Sequence, residues 1–73
     1  MRDKALIAFG SKVREKREAK NLSQEALADL ADLDRTYISG IERGVRNPTF
    51  LSSLRIAKAL GTTIEELSKG IKS

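Results

Sequence analysis

Residues 24–43 read QEALADLADLDRTYISGIER, and the spacing of their apolar side chains predicts two short helices that cross at a steep angle. Two helices joined by a tight turn at about 90 to 120° need apolar groups at fixed positions of such a segment. Those positions are the fourth, eighth, tenth, fifteenth and eighteenth, which hold Leu27, Ala31, Leu33, Ile38 and Ile41. Ala28, at the fifth position, keeps a small side chain where the two backbones approach most closely.

Capping residues extend this prediction to the rest of the chain and indicate five helices with no strand. The helices are expected at about 3–20, 23–31, 34–43, 49–60 and 63–69. Good N-cap side chains begin the last four, and residues that tolerate a positive φ follow the first four. The N-caps are Ser23, Asp34, Thr49 and Thr63, and the residues at the helix ends are Asn21, Asp32, Gly44 and Gly61. The predicted fold class is therefore all-α, a compact five-helix bundle.

The first and fourth helices carry apolar stripes that are expected to complete the core. These stripes are Leu6, Phe9 and Val13 on the first helix, and Phe50, Ile56, Ala57 and Leu60 on the fourth. Arg17 follows Val13 by one turn at the edge of the stripe, so its charge would be partly buried and would need a partner. We predict a structural ion pair between Arg17 and Glu42 that ties the first helix to the third. A phosphate contact by Arg17 is the alternative.

The composition limits this chain of 73 residues to one small domain, 1–73. A chain of this length hides only about 60% of the surface that its unfolded form exposes, which favours pairing with a second subunit. It has no cysteine and no histidine, which excludes disulfides and Cys/His metal sites, and we expect no metal and no cofactor. Fourteen basic against ten acidic residues give a net charge of +4, a modest excess that favours a polyanionic partner.

We expect no targeting or membrane-spanning segment in this chain. The N-terminal MRDKALIAFGSKVREK has an apolar run too short for the core of a signal peptide. No stretch approaches the roughly 18 apolar residues of a membrane span. The expected location is therefore the cytoplasm, with no membrane partner, and the absence of cysteine fits a reducing compartment.

The third helix offers polar side chains where a helix that reads double-stranded DNA would need them. With Ile38 and Ile41 facing inward, the residues on its outward arcs are Arg35, Thr36, Ser39 and Arg43. Arg35 can donate two hydrogen bonds to the O6 and N7 atoms of guanine, a contact worth about 1 to 3 kcal/mol against a wrong base. Tyr37 offers a ring that can pack against thymine methyl groups or a flexible pyrimidine–purine step.

Three further residues are expected to contact the DNA backbone or its edge. Gln24, at the start of the second helix, would point its amide at a phosphate, and Arg46 and Asn47 would extend the contact from the following loop. The alternative is that the arginines are ordinary solvated charges and Tyr37 is a partly buried surface ring. Their occurrence together with the packing pattern favours the DNA-binding interpretation.

The segment SQEALADLADLDRTYISGIERGVRNPT, followed by LRIAKALGTTIEEL, resembles the Cro/XRE-type helix-turn-helix regulators of phages and bacteria. The resemblance covers about residues 9–67 and implies the helix-turn-helix bundle of phage repressors. Within that group, LDRTYISGIERGVRNPT is most similar to the controller proteins of bacterial restriction-modification systems. This similarity implies a homodimer that binds palindromic operators and times expression of its own gene and of the linked endonuclease.

The resemblance also implies a role for each residue that matches the motif. The base readers would be Arg35, Thr36, Tyr37 and Ser39, with Arg46 at the groove edge able to touch a base or a phosphate. The residues that hold the DNA backbone would be Gln24, Arg43 and Asn47. Asn21 and Asp32 depart from the pattern by replacing common glycines, and Ser53 stands where an apolar core residue is usual.

A second apolar stripe, narrower than the first, predicts a dimer interface within residues 49–73. Leu51 and Leu54 form this stripe on the fourth helix, and Ile64 and Ile71 could extend it. A two-fold dimer built on it would set two reading helices about one DNA turn, 34 Å, apart. The alternative is that Leu51, Leu54 and Ile71 complete the core of a monomer.

Glu25 and Asp29 lie four residues apart on the second helix and form a small acidic patch. One interpretation is that Glu25 favours the positive end of the helix dipole and Asp29 is a solvated charge. The other comes from the resemblance, because phage-type activators use such a patch to contact RNA polymerase.

These observations favour a transcription regulator that binds double-stranded DNA as a homodimer. The alternatives are a phage-type repressor, or a small antitoxin whose leucine stripe binds a partner protein while the same chain regulates its own gene. An enzyme is not expected, because the acidic residues are scattered and no pairing of a nucleophile with a base is present in the sequence.

Overall fold

The computed structural model describes residues 3–72, which form five helices in the predicted order. They are α1 (Lys4–Ala19), α2 (Gln24–Ala31), α3 (Arg35–Glu42), α4 (Phe50–Ala59) and α5 (Ile64–Ser68). Over residues 3–72 the chain contains no strand, and the all-α fold class is confirmed. None of the helices within that range combines the length and the apolar character needed to cross a membrane.

Each helix begins immediately after an N-cap residue whose side-chain oxygen accepts a backbone N–H of the first turn. Asp3 caps α1, and the four predicted caps, Ser23, Asp34, Thr49 and Thr63, precede the other helices. Such a cap stabilises a helix by about 1 kcal/mol relative to alanine. Because these helices are short, the caps contribute a large share of what fixes their boundaries.

The turn between α2 and α3 depends on one left-handed residue. Asp32 has φ 57° and ψ 48°, a conformation that a short polar side chain tolerates better than a bulky one. The next residue, Leu33, donates its N–H to the carbonyl of Ala28 at 2.9 Å, which closes the end of α2. Chain reversal in this turn packs α3 against α2.

The core is shared by all five helices. Every residue of the 24–43 pattern that was predicted to be buried lies in it except Leu33, which is half-buried and packs against it. Its buried apolar residues are Val13, Leu27, Ala28, Ala31, Ile38, Ile41, Ile56, Ala57, Leu60 and Leu67. Phe50 was expected in this core, and that prediction is wrong because its side chain is 70% exposed. Phe50 is the first residue of α4, and the buried face of this helix begins one turn later, at Ser53.

Gly10 marks the closest approach of α1 to α3. A Cβ atom at this position would collide with the carbonyl oxygen of Ile41 and would lie 2.8 Å from that of Glu42. Both obstacles are backbone atoms, so rotation of a side chain cannot relieve them. Glycine is therefore the residue that lets the end of α3 lie directly against α1.

Replacing Gly10 with alanine is expected to lower the free energy of unfolding by about 1 to 3 kcal/mol, because the two helices must separate to admit a methyl group. This is a net loss, although alanine is favoured over glycine inside a helix by about 1 kcal/mol. Urea unfolding followed by circular dichroism would measure it. Ser11→Ala, at an exposed neighbouring position, is the control and should change stability by less than about 0.5 kcal/mol. Equal stability of the two variants would contradict the close packing.

Candidate nucleic-acid interface

The helix α3 presents one face to solvent while its opposite face is fixed in the core. Ile38 and Ile41 are fully buried, and they turn the predicted reading residues outward. Arg35, Thr36 and Arg43 are exposed and Ser39 is half-buried. The side chain of Asp34 accepts the N–H of Thr36 at 3.1 Å, so the first turn of α3 is capped beside the exposed Arg35.

The contact predicted between Arg17 and Glu42 is present and supports α3 from behind. Arg17 Nε donates to Glu42 Oε2 at 2.6 Å, and its Nη2 donates to Oε1 at 3.0 Å. The two side chains are 11% and 3% exposed, so the pair is largely shielded from water. The hydrogen bonds to Glu42 raise the pKa of Arg17 above its ordinary value, an effect that burial of the guanidinium opposes.

The third nitrogen of the Arg17 guanidinium also has a protein partner. Nη1 donates to the carbonyl oxygen of Leu22 at 2.7 Å, in the segment between α1 and α2. All three nitrogens are therefore committed inside the protein, which favours the structural role over the phosphate contact considered as its alternative. One guanidinium joins α1, the α1–α2 turn and α3.

Gln24 is predicted to point its amide at a phosphate, but in the structure part of that amide is bound within the protein. Its Nε2 donates to Glu42 Oε1 at 3.0 Å, and the residue is half-buried. The reason is that Glu42 accepts hydrogen bonds from two helices at once, since a carboxylate has more acceptor sites than one arginine fills. A phosphate contact is left to the second N–H of this amide, because the amide oxygen and a phosphate oxygen are both acceptors.

Tyr37 and Arg46 form a stacked pair at the edge of α3. Tyr37 is half-buried against the core, and its hydroxyl oxygen accepts the N–H of Thr49 at 3.2 Å. The guanidinium carbon of Arg46 lies 5.5 Å from the centroid of the tyrosine ring. A cation over an aromatic face at an exposed site is stabilised by about 0.5 to 1 kcal/mol. The ring thus faces the loop cation on one side and is tied to the start of α4 on the other.

The loop after α3 is docked on the helix that precedes it. The backbone N–H groups of Val45 and Arg46 both donate to the carbonyl oxygen of Gly40, at 3.0 and 3.2 Å. Arg46 and Asn47 are exposed on this loop. The loop therefore adds its cation beside the exposed face of α3 without a long flexible connection.

The four residues predicted for the dimer interface divide into two groups. Leu51 and Leu54 are 65% and 42% exposed on α4. Ile64 is half-buried against the core of its own chain, and Ile71 lies half-buried in a cleft beside Leu6 and Phe9. The unpredicted exposure of Phe50 adds a third apolar side chain, so Phe50, Leu51 and Leu54 together form what we call the apolar face of α4.

The acidic pair Glu25 and Asp29 is exposed on α2, and both side chains face solvent. Glu25 lies in the first turn, where a carboxylate favours the helix dipole. This placement is compatible with both interpretations of the pair, and a contact with RNA polymerase stays a prediction.

Sequence reasoning missed two residues of this surface. Gly40 is buried although it belongs to a helix face that should be exposed, because the stem of Arg46 covers it. Thr49 was expected only as an N-cap, whereas its N–H also holds the hydroxyl of Tyr37. Both contacts join residues on different elements, and neither produces a periodic signal in the sequence.

Comparison with known proteins finds relatives that share the helix-turn-helix described above. The model of the Helix-turn-helix family matches residues 13–67. The chain is 45% identical to the control protein C.MunI from a Mycoplasma species, over 90% of each chain, and 52% identical to the control protein C.BamHI from Bacillus amyloliquefaciens, over 84% of this chain and 76% of that one. The crystal structure of the restriction-modification controller protein C.AhdI from Aeromonas hydrophila superimposes with a TM-score of 0.83 at 50% identity, covering 85% of this chain and 94% of that one.

The family match over residues 13–67 includes the exposed helix α3, and together with the structural match it confirms the resemblance noted in the sequence. Proteins of this family bind DNA and regulate transcription, and they are not enzymes. The chain therefore belongs to the helix-turn-helix family of DNA-binding transcription regulators and, within it, groups with the control proteins of restriction-modification systems.

Proposed function

We propose that this protein binds a palindromic operator as a homodimer and controls restriction-modification genes, its own gene among them. The observation that carries the proposal is the exposed face of α3, held rigidly by a capped first turn and a buried ion pair behind it. The names of the relatives support the regulated system, since C.MunI and C.BamHI are control proteins and C.AhdI is a restriction-modification controller.

Five side chains would read base edges in the major groove: Arg35, Thr36, Tyr37, Ser39 and Arg46. Their positions on or beside the exposed face of α3 support this role. Arg43 and Asn47 are exposed at the C-terminal end of the same helix and in its loop, and they would contact phosphates together with Gln24. The net charge of +4 favours the approach of such a surface to DNA.

The apolar face of α4 would be the centre of the dimer interface. Three exposed apolar side chains lie together on this helix, and exposed apolar patches commonly mark association sites. A two-fold axis through this face would present two copies of α3, and half-sites about 34 Å apart would receive them in successive major grooves.

Selection of bound duplexes from a random pool, followed by measurement of the stoichiometry on the winning sequence, tests this function. We expect a symmetric site, a guanine facing Arg35 in each half, and two chains bound per duplex. Affinity should fall steeply with salt concentration, because phosphate contacts release counterions. Equal binding to every sequence would leave only a nonspecific basic protein and would overturn the proposal.

Replacing Arg35 with alanine is expected to reduce discrimination at one symmetric base pair of the selected operator by about 1 to 3 kcal/mol per half-site. The loss arises because the two hydrogen bonds to guanine disappear while the fold is unaffected at an exposed position. Fluorescence anisotropy with operators substituted at each position would measure it. Arg14→Ala removes an exposed arginine from α1 and is the control for loss of charge. A uniform loss at all positions in both variants would argue against base reading by Arg35.

A further inference from the structure

The side chain of Arg46 occupies the space that a side chain at position 40 would need. A Cβ atom built on Gly40 would collide with Cγ of Arg46 and would lie 3.3 Å from its Cβ and 3.4 Å from its Cδ. The stem of the arginine, rather than its mobile end, therefore lies on the bare backbone of α3. This contact explains why Gly40 is buried on a helix face that otherwise meets solvent.

The backbone of α3 does not itself require glycine at this position. Gly44, Gly61 and Gly70 have a positive φ, whereas Gly40 lies within a regular helix and is not among the residues with such angles. Alanine is intrinsically preferred over glycine inside a helix. The packing of Arg46, rather than the backbone conformation, is thus what requires glycine at position 40.

Two other contacts hold Arg46 in the same orientation. Its N–H donates to the carbonyl oxygen of Gly40 at 3.2 Å, and its guanidinium lies over the ring of Tyr37. The ring in turn is fixed by the N–H of Thr49. Backbone, stem and charged group of the arginine are therefore each restrained in the absence of DNA.

We propose that Gly40 is a positioning residue for DNA recognition: it makes no contact with DNA but provides the seat that holds the guanidinium of Arg46 over Tyr37, ready to enter the groove. An arginine loses much rotamer freedom when it is ordered at an interface, and restraint before binding reduces that loss. The inference rests on the proposed function, because it requires that Arg46 contacts the operator.

A double-mutant cycle on Gly40 and Arg46 tests the proposal with the operator obtained by selection and a duplex of shuffled sequence. Arg46→Ala is expected to weaken operator binding about 5- to 150-fold per half-site. Gly40→Ala in the wild-type background should weaken it about 2- to 12-fold per half-site, the range expected for ordering one long side chain. In the Arg46→Ala background the same glycine substitution should change affinity less than about twofold, since the seat then holds no arginine.

Two measurements on the free protein separate positioning from loss of structure. Nuclear Overhauser contacts between the Hα atoms of Gly40 and the Hγ atoms of Arg46 are expected in the wild type. Thermal unfolding should show that Gly40→Ala raises the Tm of the Arg46→Ala protein by about 2 to 8 °C, because alanine then improves the helix and meets only the Cβ of residue 46, at 3.3 Å, after the Cγ has been removed. Val45→Ala, at the exposed neighbouring position, is the control for changes in the loop and should leave operator affinity unchanged.

Several outcomes would overturn the inference. An equal loss from Gly40→Ala in both backgrounds would show that the glycine acts independently of Arg46, and no loss in either would show that the seat is unimportant. Absence of the nuclear Overhauser contacts in the wild type would remove its structural basis. If Arg46→Ala binds the operator normally, the role proposed for Arg46 also fails, whereas failure to select any operator would refute the proposed function itself.

Discussion

Replacing Arg17 with alanine is expected to lower the free energy of unfolding by about 3 to 5 kcal/mol, the usual result of removing one partner of a buried ion pair. The carboxylate of Glu42, only 3% exposed, would keep one hydrogen bond, from Gln24, and would lose both bonds from the guanidinium. A chain of 73 residues has a total stability of roughly 4 to 11 kcal/mol. The expected loss is therefore a large fraction of the total, and urea unfolding at 25 °C would measure it.

The control is Arg14→Ala, which breaks an exposed ion pair with Glu18 on the same helix. The side chains of that pair are 63% and 56% exposed, so its loss should change stability by no more than about 0.5 kcal/mol. The double replacement Arg17→Met with Glu42→Leu should recover most of the stability, because neither position then holds a buried charge. Equal effects of Arg17→Ala and Arg14→Ala would show that the buried pair contributes nothing special.

Replacing both Leu51 and Leu54 with glutamate is expected to weaken operator binding by about 10²- to 10⁴-fold, the advantage that linking two binding modules provides. The two positions are exposed in the monomer, so the fold should be retained. On a two-fold interface each substitution is present twice, so four carboxylates would be forced into the contact, and their desolvation and mutual repulsion would dissociate the dimer.

Analytical ultracentrifugation would check this prediction alongside the binding measurement. The wild type should sediment at twice the monomer mass of 8.0 kDa, and the variant at the monomer mass. Leu30→Glu is the matched control, because Leu30 is also exposed, at 61%, but lies on α2 outside the apolar face of α4. If the double variant still forms dimers, or if Leu30→Glu dissociates them equally, the interface lies elsewhere.

The helices could be predicted from the sequence because their boundaries depend on neighbouring residues. An N-cap such as Ser23 bonds a backbone N–H three residues away, and Asp32 turns the chain through its own φ. The contact between Arg17 and Glu42 was also predictable, since an arginine at the edge of an apolar stripe needs an acidic partner and α3 offers one. Phe50 was misplaced because its spacing from Ala57 suits the inward face, whereas its burial depends on whether another element covers the end of α4.

The side-chain network around the exposed helix could not be predicted in the same way. The stacking of Arg46 on Tyr37 spans nine positions and the hydrogen bond from Gln24 to Glu42 spans eighteen. These contacts depend on how a loop returns across a helix and on how many acceptor sites one carboxylate has free. The spacing of residues along the chain indicates neither the path of the loop nor the number of free acceptor sites.

The three hydrogen bonds that Glu42 accepts from α1 and α2 have a consequence for genetics. A screen for chains that have stopped repressing or activating a promoter would recover substitutions at Glu42 together with those at Arg35, although the carboxylate is buried inside the protein. The cellular abundance of each mutant protein would distinguish the two kinds. Destabilised Glu42 variants are expected to be degraded, whereas folded Arg35 variants that have lost only a DNA contact are expected to accumulate.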